Sequence, residues 1–253
     1  MVEARFGQAL TFKKLIEALK DLVTEVNLEA SPEGLFVQAM DASHVALISL
    51  FLHREGFEHY ECERDQSIGV SMNNLSKIIK CAENDDSIVF RVDRNASQLQ
   101  LIFEGKKEDK ISEFNLNLLT LDSEHLAIPE DEYSCIVNLS TNELAGICRE
   151  LSQMSDTICF DVNKQRIVFS VSGDIGRGAI TLKHSTSGSG TSINSSGNVN
   201  VSFAIRYLNL FCKSAAIASA ATLSISEELP LIMKLEFSLG YLKYYLAPKV
   251  NDN

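Results

Sequence analysis

The side chains most often used in catalysis and metal binding are few in this sequence, and their spacing matches no familiar site. His44 stands alone next to apolar residues, with no nucleophile and orienting carboxylate in view, so we interpret it as the wall of a pocket and not as a catalytic base. His53, His59 and Cys62 lie close in the chain, but their spacing fits no zinc site. We expect no enzymatic activity, no metal and no cofactor.

The glycine-rich run Gly173–Gly178 imitates a phosphate-binding loop in composition only. Such a loop needs a helix directly after it, because the N–H groups at the start of that helix bind the phosphate. A strand-like run follows here instead. The run is therefore predicted to be a turn between two strands.

The cysteines indicate a reducing compartment. They are Cys62, Cys81, Cys135, Cys148, Cys159 and Cys212. Because they are spread along 253 residues and never form Cys-x-x-Cys, buried free thiols are favoured over disulfides. The first residues lack the layout of a signal peptide, and no apolar run reaches the roughly 18 residues of a membrane span. We expect a protein of the cytosol or nucleus without membrane association.

Basic side chains remain as candidates for chemistry, and their position matters more than their number. The net charge of −11 by itself argues against nucleic acid, since binding to phosphates depends on Lys and Arg. However, the four predicted helices, 9–23, 72–81, 141–154 and 206–213, carry a net positive charge together, so the rest of the chain is strongly acidic. Lys13 and Lys20 lie seven residues apart, as do Arg206 and Lys213, so each pair is predicted to share one helical face. For any single helix, the alternative to a phosphate-binding role is that its basic residues form an ordinary solvated surface.

The elements that would position these side chains occur twice in the same order. Residues 12–23 carry the apolar stripe of a helix, and residues 27–40 alternate around a turn, which is typical of a β-hairpin. Residues 144–154 repeat the helical stripe, and residues 167–171 repeat the strand.

The second half of each copy also matches. A short helix around Leu75 corresponds to one around Leu208, and aligning these two leucines places Lys80 opposite Lys213. Strand-like runs follow each helix. The sequence therefore predicts two similar α+β domains.

The domains are predicted at 1–117 and 135–253, joined by a connecting loop at 118–134. This loop has five carboxylates and no Lys or Arg, and its apolar cluster at 126–129 favours a functional loop over a plain linker. Residues 185–198 are uncharged and rich in Ser and Gly. They are predicted to form a flexible loop without a site of its own.

Short motifs along nearly the whole chain resemble the eukaryotic DNA sliding clamps of the proliferating cell nuclear antigen family. The motifs include Lys13-Lys14 with Glu17–Leu22, Met40-Asp41 with Ser43–Val45, Ser76–Ile78 with Lys80–Ala82, Ile128–Glu130, Glu132–Cys135, Arg206–Asn209 and Leu242–Lys249. Each motif is weak alone, but their order and nearly constant spacing make the resemblance strong.

The resemblance implies a closed homotrimeric ring of two-domain subunits around duplex DNA, with helices lining the hole and β-sheets outside. The DNA-facing residues would be Lys13, Lys14, Lys20, Lys77, Lys80, Lys110, Arg149, Arg206 and Lys213. Lys and Arg attract phosphates without reading the bases, so the contacts would be independent of DNA sequence. Gly146 replaces a further Arg that the family commonly has, which puts one contact in doubt.

The resemblance also implies two kinds of protein contact. A groove under the connecting loop would bind PIP-box-like peptides of DNA polymerases, flap endonuclease, DNA ligase and the clamp loader. Its residues would be Met40, His44, Val45, Leu47, Leu126, Ile128, Pro230, Tyr245, Ala247 and Pro248. Edge strands at 109–117 and 175–183 would close the trimer. Interface residues would be Cys81, Phe114, Ile175, Arg177, Ile180 and Leu182.

Lys164 coincides with the lysine that carries ubiquitin or SUMO in this family. Nuclear roles in replication, repair and translesion synthesis follow from the same resemblance. Three alternatives remain open: an enzyme acting on nucleic acid, a subunit of a heterotrimeric checkpoint clamp, and a monomeric processivity factor. The Ser- and Gly-rich segment departs from the longer, acidic loop that is usual in the family.

Overall fold

The computed structural model describes residues 1–106, 110–122, 126–128, 131–186 and 190–249. The chain forms two compact units. Unit 1 comprises Met1–Ala42, Ile48–Leu126 and Phe237–Leu242, and unit 2 comprises Ser43–Leu47, Ala127–Glu236 and Lys243–Asn253. The domain boundaries predicted at residues 117 and 135 stay a prediction.

The elements alternate short helices with strands. The first copy of the repeat contains β1 (Val2–Phe6), α1 (Ala9–Leu19), β2 (Glu25–Ser31), β3 (Gly34–Met40), β4 (Ala46–His53), β5 (His59–Cys62), β6 (Gln66–Ser71), α2 (Met72–Ile79), β7 (Ser87–Val92), β8 (Gln98–Glu104) and β9 (Ile111–Asn117). The second contains β10 (Cys135–Ser140), α3 (Thr141–Leu151), β11 (Thr157–Val162), β12 (Arg166–Gly173), β13 (Gly176–Lys183), β14 (Ser192–Ser195), β15 (Val199–Ala204), α4 (Ile205–Phe211), β16 (Ala220–Ile225), β17 (Leu231–Phe237) and β18 (Gly240–Leu246). Two 3-10 helices are Arg54–Gly56 and Cys212–Ala216.

The strand order confirms the internal repeat. Unit 1 contains the antiparallel order β5-β1-β7-β8-β9, and unit 2 contains the matching order β14-β10-β16-β17. Likewise, β4-β3-β2-β6 in the first copy corresponds to β13-β12-β11-β15 in the second. The predicted hairpin at residues 27–40 is confirmed as β2 and β3, which pair from Ser31 and Gly34 onward.

The helices form where apolar residues recur at helical spacing. In α1, the residues Phe12, Leu15 and Ile16 are buried, and the Phe12 ring packs 4.7 Å from Phe6 and 4.9 Å from Phe90. Burial of such a stripe fixes the face of the helix that points into its unit. Polar side chains must therefore occupy the other face.

The second copy repeats this packing. α3 begins at Thr141 as predicted, and the Thr141 backbone N–H donates to the carbonyl of Ser219 at 3.0 Å. In α2 and α4 the aligned residues Leu75 and Leu208 are both fully buried. The predicted alignment of the two short helices is confirmed.

Each helix ends two or more residues earlier than predicted. The N–H groups of Leu22 and Val23 both donate to the carbonyl of Leu19, which closes α1 with a tight turn before the predicted end at residue 23. α4 ends at Phe211, and Lys213 lies in the 3-10 helix. Arg206 and Lys213 therefore do not belong to one α-helix, and their position on a common face stays a prediction.

The Ser- and Gly-rich segment is more ordered than predicted. Residues 192–195 form β14, which pairs with β10, so the prediction of a flexible loop is wrong for these residues. Ile193 is buried, and its N–H donates to Nδ1 of His184 at 2.9 Å. One apolar side chain and a ladder of backbone hydrogen bonds are enough to order this strand. Residues 187–189 of the segment lie outside the described residues.

All six cysteines are free thiols, as predicted. The prediction that they are buried holds for Cys135, Cys148 and Cys212, but Cys81 is exposed and Cys62 and Cys159 are half-buried. No helix in the described ranges is long and apolar enough to cross a membrane.

Gly146 lies inside α3, where a Cβ atom would meet no other atom within 4 Å. Glycine loses more conformational entropy than alanine when a helix forms. We therefore expect Gly146→Ala to raise the free energy of unfolding by about 0.5–1 kcal/mol, as measured by urea denaturation.

Gly173 serves as the control for this substitution. A Cβ atom at Gly173 would lie 2.1 Å from the carbonyl oxygen of Met154, so Gly173→Ala should lower the free energy of unfolding. A Gly146→Ala protein that is no more stable than the wild type would contradict the helical role of this position.

Candidate nucleic-acid interface

Five of the predicted DNA-facing lysines lie on α1, α2 and the residues that end these helices. They are Lys13, Lys14, Lys20, Lys77 and Lys80, and all are exposed or half-buried. The two helices pack side by side within unit 1, and a cleft of about 210 Å³ between them is lined by Lys13, Lys80, Glu17 and Ser76 with two isoleucines. The structure therefore brings Lys13, Lys20 and Lys80 together around one cleft. Lys14 and Lys77 lie on the same two helices, and we call the five lysines together the basic surface.

One carboxylate lies within this basic surface. Glu17 accepts from the ammonium group of Lys20 at 2.6 Å and from that of Lys80 at 3.3 Å. The Ser76 hydroxyl also donates to it, at 3.3 Å. The hydrogen bond from Lys20 is the largest of the effects that lower the pKa of the Glu17 carboxyl, and the same bond raises the pKa of Lys20.

Two further lysines are held by groups near the end of α2. Lys13 donates to the carbonyl oxygen of Ala82 and, at 3.2 Å, to the side-chain oxygen of Asn84. Lys110 pairs with Glu83 at 3.5 Å. These contacts are exposed or partly exposed, so each contributes at most about 1 kcal/mol and can be exchanged for a phosphate.

Lys14 and Lys77 differ from these residues. Neither side chain makes an ion pair or hydrogen bond with any residue in the described ranges. Lys77 is exposed and Lys14 is half-buried. Their ammonium groups are available to a phosphate without displacing another contact.

Unit 2 carries fewer basic groups on its helices. Arg149 on α3 is exposed, but Glu143 and Glu150 lie on the same helix. Arg206 on α4 stands over the ring of Tyr207, with its guanidinium carbon 4.8 Å from the ring centroid. Lys213 is exposed on the 3-10 helix. The basic character predicted from the sequence is therefore strongest on α1 and α2.

The Gln38 side chain holds one part of the connecting loop, and Asn27 holds another by donating to the carbonyl oxygen of Leu121 at 3.5 Å. Gln38 on β3 donates to the carbonyl oxygen of Leu126 at 3.0 Å and accepts from the Leu126 N–H at 2.8 Å. This arrangement satisfies both backbone groups of Leu126, as a neighbouring strand would. The Leu126 side chain remains 42% exposed, so an apolar surface is presented on a fixed backbone.

Several predicted groove residues come together within unit 2. The N–H of Ala247 donates to the carbonyl oxygen of Val45 at 3.0 Å, next to His44, whose φ of 55° is rare outside glycine. The Tyr133 hydroxyl donates to the carbonyl oxygen of Pro230 at 2.8 Å, and burial raises the pKa of Tyr133 to about 12.

The remaining groove residues differ in exposure. Ile128 and Pro248 are half-buried, Pro230 and Ala247 are exposed, and Leu47 and Tyr245 are buried. Met40, in unit 1, is half-buried. The groove as one binding site stays a prediction.

The predicted edge strands end their sheets. Among the described strands, β9 pairs only with β8, and β13 pairs only with β12. Phe114, Ile180 and Leu182 are half-buried, while Arg177 is exposed. Cys81 is exposed after α2. The backbone groups on the open side of such strands are free to pair with another chain.

Ile175 does not lie on the edge strand, so that part of the prediction is wrong. Gly173 pairs with Gly176 across a two-residue loop, which places Ile175 in the turn with 77% of its surface exposed. The same loop confirms that the glycine-rich run is a turn between strands. Ile111 at the start of β9 is 63% exposed and was not among the predicted interface residues.

Lys164 is exposed in the turn between β11 and β12. The Asn163 side chain stabilises this turn by accepting from the N–H groups of Gln165 and Arg166. Among the described residues, no three His, Cys, Asp or Glu side chains are grouped so that they could hold a metal ion.

Three residues of these sites were missed from the sequence. The i, i+3 spacing of Glu17 and Lys20 is a signal that could have indicated their ion pair. Tyr133 lies in a motif of the sequence resemblance, but its hydroxyl partner Pro230 is 97 residues away. Gln38 offered no signal, because its partner Leu126 lies 88 residues further along the chain.

Two family models match the chain. Residues 1–125 match the model described as proliferating cell nuclear antigen, N-terminal domain. Residues 127–249 match the model described as proliferating cell nuclear antigen, C-terminal domain. The two matches together span almost all of the sequence.

The contact between Gln38 and Leu126 can be tested without any partner. In Gln38→Ala, both backbone groups of Leu126 lose their hydrogen bonds, and a bond contributes about 0.5–1.5 kcal/mol. We expect the Leu126 amide to exchange with solvent about tenfold faster, as measured by hydrogen exchange. Gln98→Ala, which removes only a side-chain bond to Asn117, should leave this rate unchanged. An unaltered rate in Gln38→Ala would refute the contact.

Proposed function

The chain belongs to the proliferating cell nuclear antigen family of DNA sliding clamps, which are non-enzymatic scaffolds, and we propose that it encircles duplex DNA as a closed homotrimer. The observation that carries this proposal is the basic surface of α1 and α2 in a chain with a net charge of −11. In the proposed ring, the helices face the DNA and the sheets lie outside.

The charge distribution supports a clamp that holds DNA weakly. Ammonium and guanidinium groups attract phosphates of any sequence, and the contacts exchange as the protein moves along the duplex. Topology, not affinity, keeps a closed ring on DNA. The acidic remainder of the chain would repel the phosphates and favour the central hole for the duplex.

Trimer closure is proposed to use β9 of one subunit and β13 of the next. Both strands have an open edge, and both carry exposed or half-buried apolar residues, among them Ile111, Phe114 and Ile180. A head-to-tail contact of this kind forms a ring when the rotation closes. A solution mass three times the 28.0 kDa of the chain supports the homotrimer, and a 28 kDa species would favour the checkpoint clamp or the monomeric factor.

The connecting loop is proposed to form a binding groove for partner peptides. Leu126 is exposed on a backbone that Gln38 holds, and Ile128, Pro230 and Ala247 add apolar surface. A groove of this character suits a short helical turn with aromatic anchors. We propose that polymerases, flap endonuclease, DNA ligase and the clamp loader bind here. Lys164 is proposed to accept ubiquitin or SUMO in the nucleus.

Encirclement is tested by comparing how long the protein stays on a circular DNA and on the same DNA after it has been made linear. The protein is loaded by a clamp loader onto a nicked circular DNA, and the circle is then cut by a restriction enzyme. A ring should remain on the intact circle and slide off the linear ends. Equal retention on both forms would refute encirclement, and so would failure to remain on the circle.

The basic surface makes a separate prediction. Lys77→Glu should reduce the affinity for a short duplex and make the slope of log K against log salt shallower by about one to two, because one phosphate contact is lost and one repulsion is added. Fluorescence anisotropy across a salt series measures this slope. Lys164→Glu makes the same charge change at another exposed lysine, which makes no ion pair with the described part of the chain. Equal slopes for the two variants would contradict a localised DNA surface.

The partner groove is tested with a peptide that carries the Gln and paired aromatic residues of a PIP-box. Ile128→Ala should weaken its binding by about 10- to 100-fold, since truncating an apolar anchor at an interface costs about 1–3 kcal/mol. Isothermal titration calorimetry measures the affinity. Ile136→Ala on β10 truncates another half-buried isoleucine and should leave binding unchanged. The assignment fails if Ile128→Ala binds as tightly as the wild type.

A further inference from the structure

Glu17 occupies an unusual place for a carboxylate in a surface that is proposed to contact DNA. It lies between α1 and α2 and binds the ammonium groups of both Lys20 and Lys80, at 2.6 and 3.3 Å. Both lysines belong to the predicted DNA-facing set. Of the five lysines on this surface, two are therefore paired with one internal anion.

A phosphate and the Glu17 carboxylate compete for the same donors. Each offers anionic oxygens to an ammonium group, and the two anions repel each other when both lie against Lys20 or Lys80, so Glu17 reduces the attraction of these lysines for a phosphate. The pair with Lys80 is well exposed, since 45% of the Glu17 side chain and 62% of the Lys80 side chain are accessible. The pair with Lys20 is less exposed, with 18% of the Lys20 side chain accessible. Exposed ion pairs are weak, so an approaching phosphate can displace the carboxylate.

We propose that Glu17 limits the strength of DNA contact by competing with phosphates for Lys20 and Lys80. The proposal rests on the proposed clamp function. Contact with DNA through these lysines then requires the loss of an existing ion pair, so the net gain from each contact is small. Release from one phosphate is aided by return to Glu17. The carboxylate acts through the lysines and is a positioning residue for rapid movement along the duplex.

Lys14 and Lys77 provide the internal comparison. They make no ion pair with the described residues of the chain, so they can hold phosphates without competition. The surface therefore has two lysines, Lys14 and Lys77, that are directly available to phosphates, and two, Lys20 and Lys80, that are paired with the Glu17 carboxylate. This division lets the surface attract DNA while limiting how tightly it binds.

A purely structural role for Glu17 makes a different prediction. Its carboxylate also accepts from Ser76 on α2, and the contact could serve only to join the two helices. Glu17→Gln keeps the size of the side chain and an oxygen acceptor for Ser76, but it removes the negative charge. If the role is only structural, this variant will change thermal stability without changing movement on DNA in a salt-dependent way.

The test follows single proteins that a clamp loader has placed on stretched duplex DNA. The one-dimensional diffusion coefficient is measured from about 50 to 200 mM salt, the range over which phosphate contacts weaken strongly. We expect Glu17→Gln to diffuse about two- to fivefold more slowly than the wild type at low salt, because Lys20 and Lys80 bind phosphates without competition. The difference should fade as the salt concentration rises.

Glu150→Gln is the matched control. Glu150 is exposed on α3 and makes no ion pair within the described ranges, so the variant removes one negative charge from a helix without releasing a lysine. Slower diffusion in Glu17→Gln than in Glu150→Gln supports competition. Equal diffusion of the two variants, or faster diffusion of Glu17→Gln than of the wild type, would overturn it.

The outcomes also separate this inference from the clamp function. A wild-type protein that does not stay on circular DNA refutes the clamp, and the inference falls with it. A wild-type protein that slides, with a Glu17→Gln variant that moves identically at every salt concentration, refutes only the role of Glu17.

Discussion

The structure depends on the burial of one apolar stripe along each of its helices. Residues such as Phe12 in α1, Leu75 in α2 and Leu208 in α4 are buried in their own unit, so each helix has a single orientation relative to its sheets. The polar residues of the helix are then confined to the opposite face. Because the charged residues of α1, α2 and their end residues Lys20 and Lys80 are all lysines except Glu17, the same burial that stabilises the units also gathers positive charge on these helices.

This local concentration of positive charge explains how a protein with a negative net charge can bind nucleic acid. In the proposed clamp, the net charge of −11 would keep DNA away from most of the chain, and the local field of the helices would attract it. The lysines differ in their state before DNA arrives. Lys20 and Lys80 bind Glu17, while Lys14 and Lys77 stand free of the described residues. A surface built in this way attracts phosphates without holding them tightly, which suits a protein whose proposed task is to move.

The sequence predicted what depends on local periodicity and repetition. The hairpin closed between Ser31 and Gly34 and the equivalence of Leu75 and Leu208 follow from alternation and helical spacing, which are visible within short windows. Features that depend on distant partners were not predictable. Gln38 meets Leu126 across 88 residues, and β14 is ordered by pairing with β10 in a segment whose composition indicates flexibility. Ile175 was misplaced because a two-residue loop takes it out of the strand.

The central claim is that DNA contacts the helix lysines and not the rest of the protein. Its most direct test is acetylation of lysines with an amine-reactive reagent, followed by mass spectrometry, with the protein free or loaded on closed circular DNA. Lys14, Lys77 and Lys80 should be protected in the loaded protein, whereas Lys164, exposed in the turn between β11 and β12, should react equally in both. Protection of Lys164, with unchanged reactivity of the three helix lysines, would contradict the account.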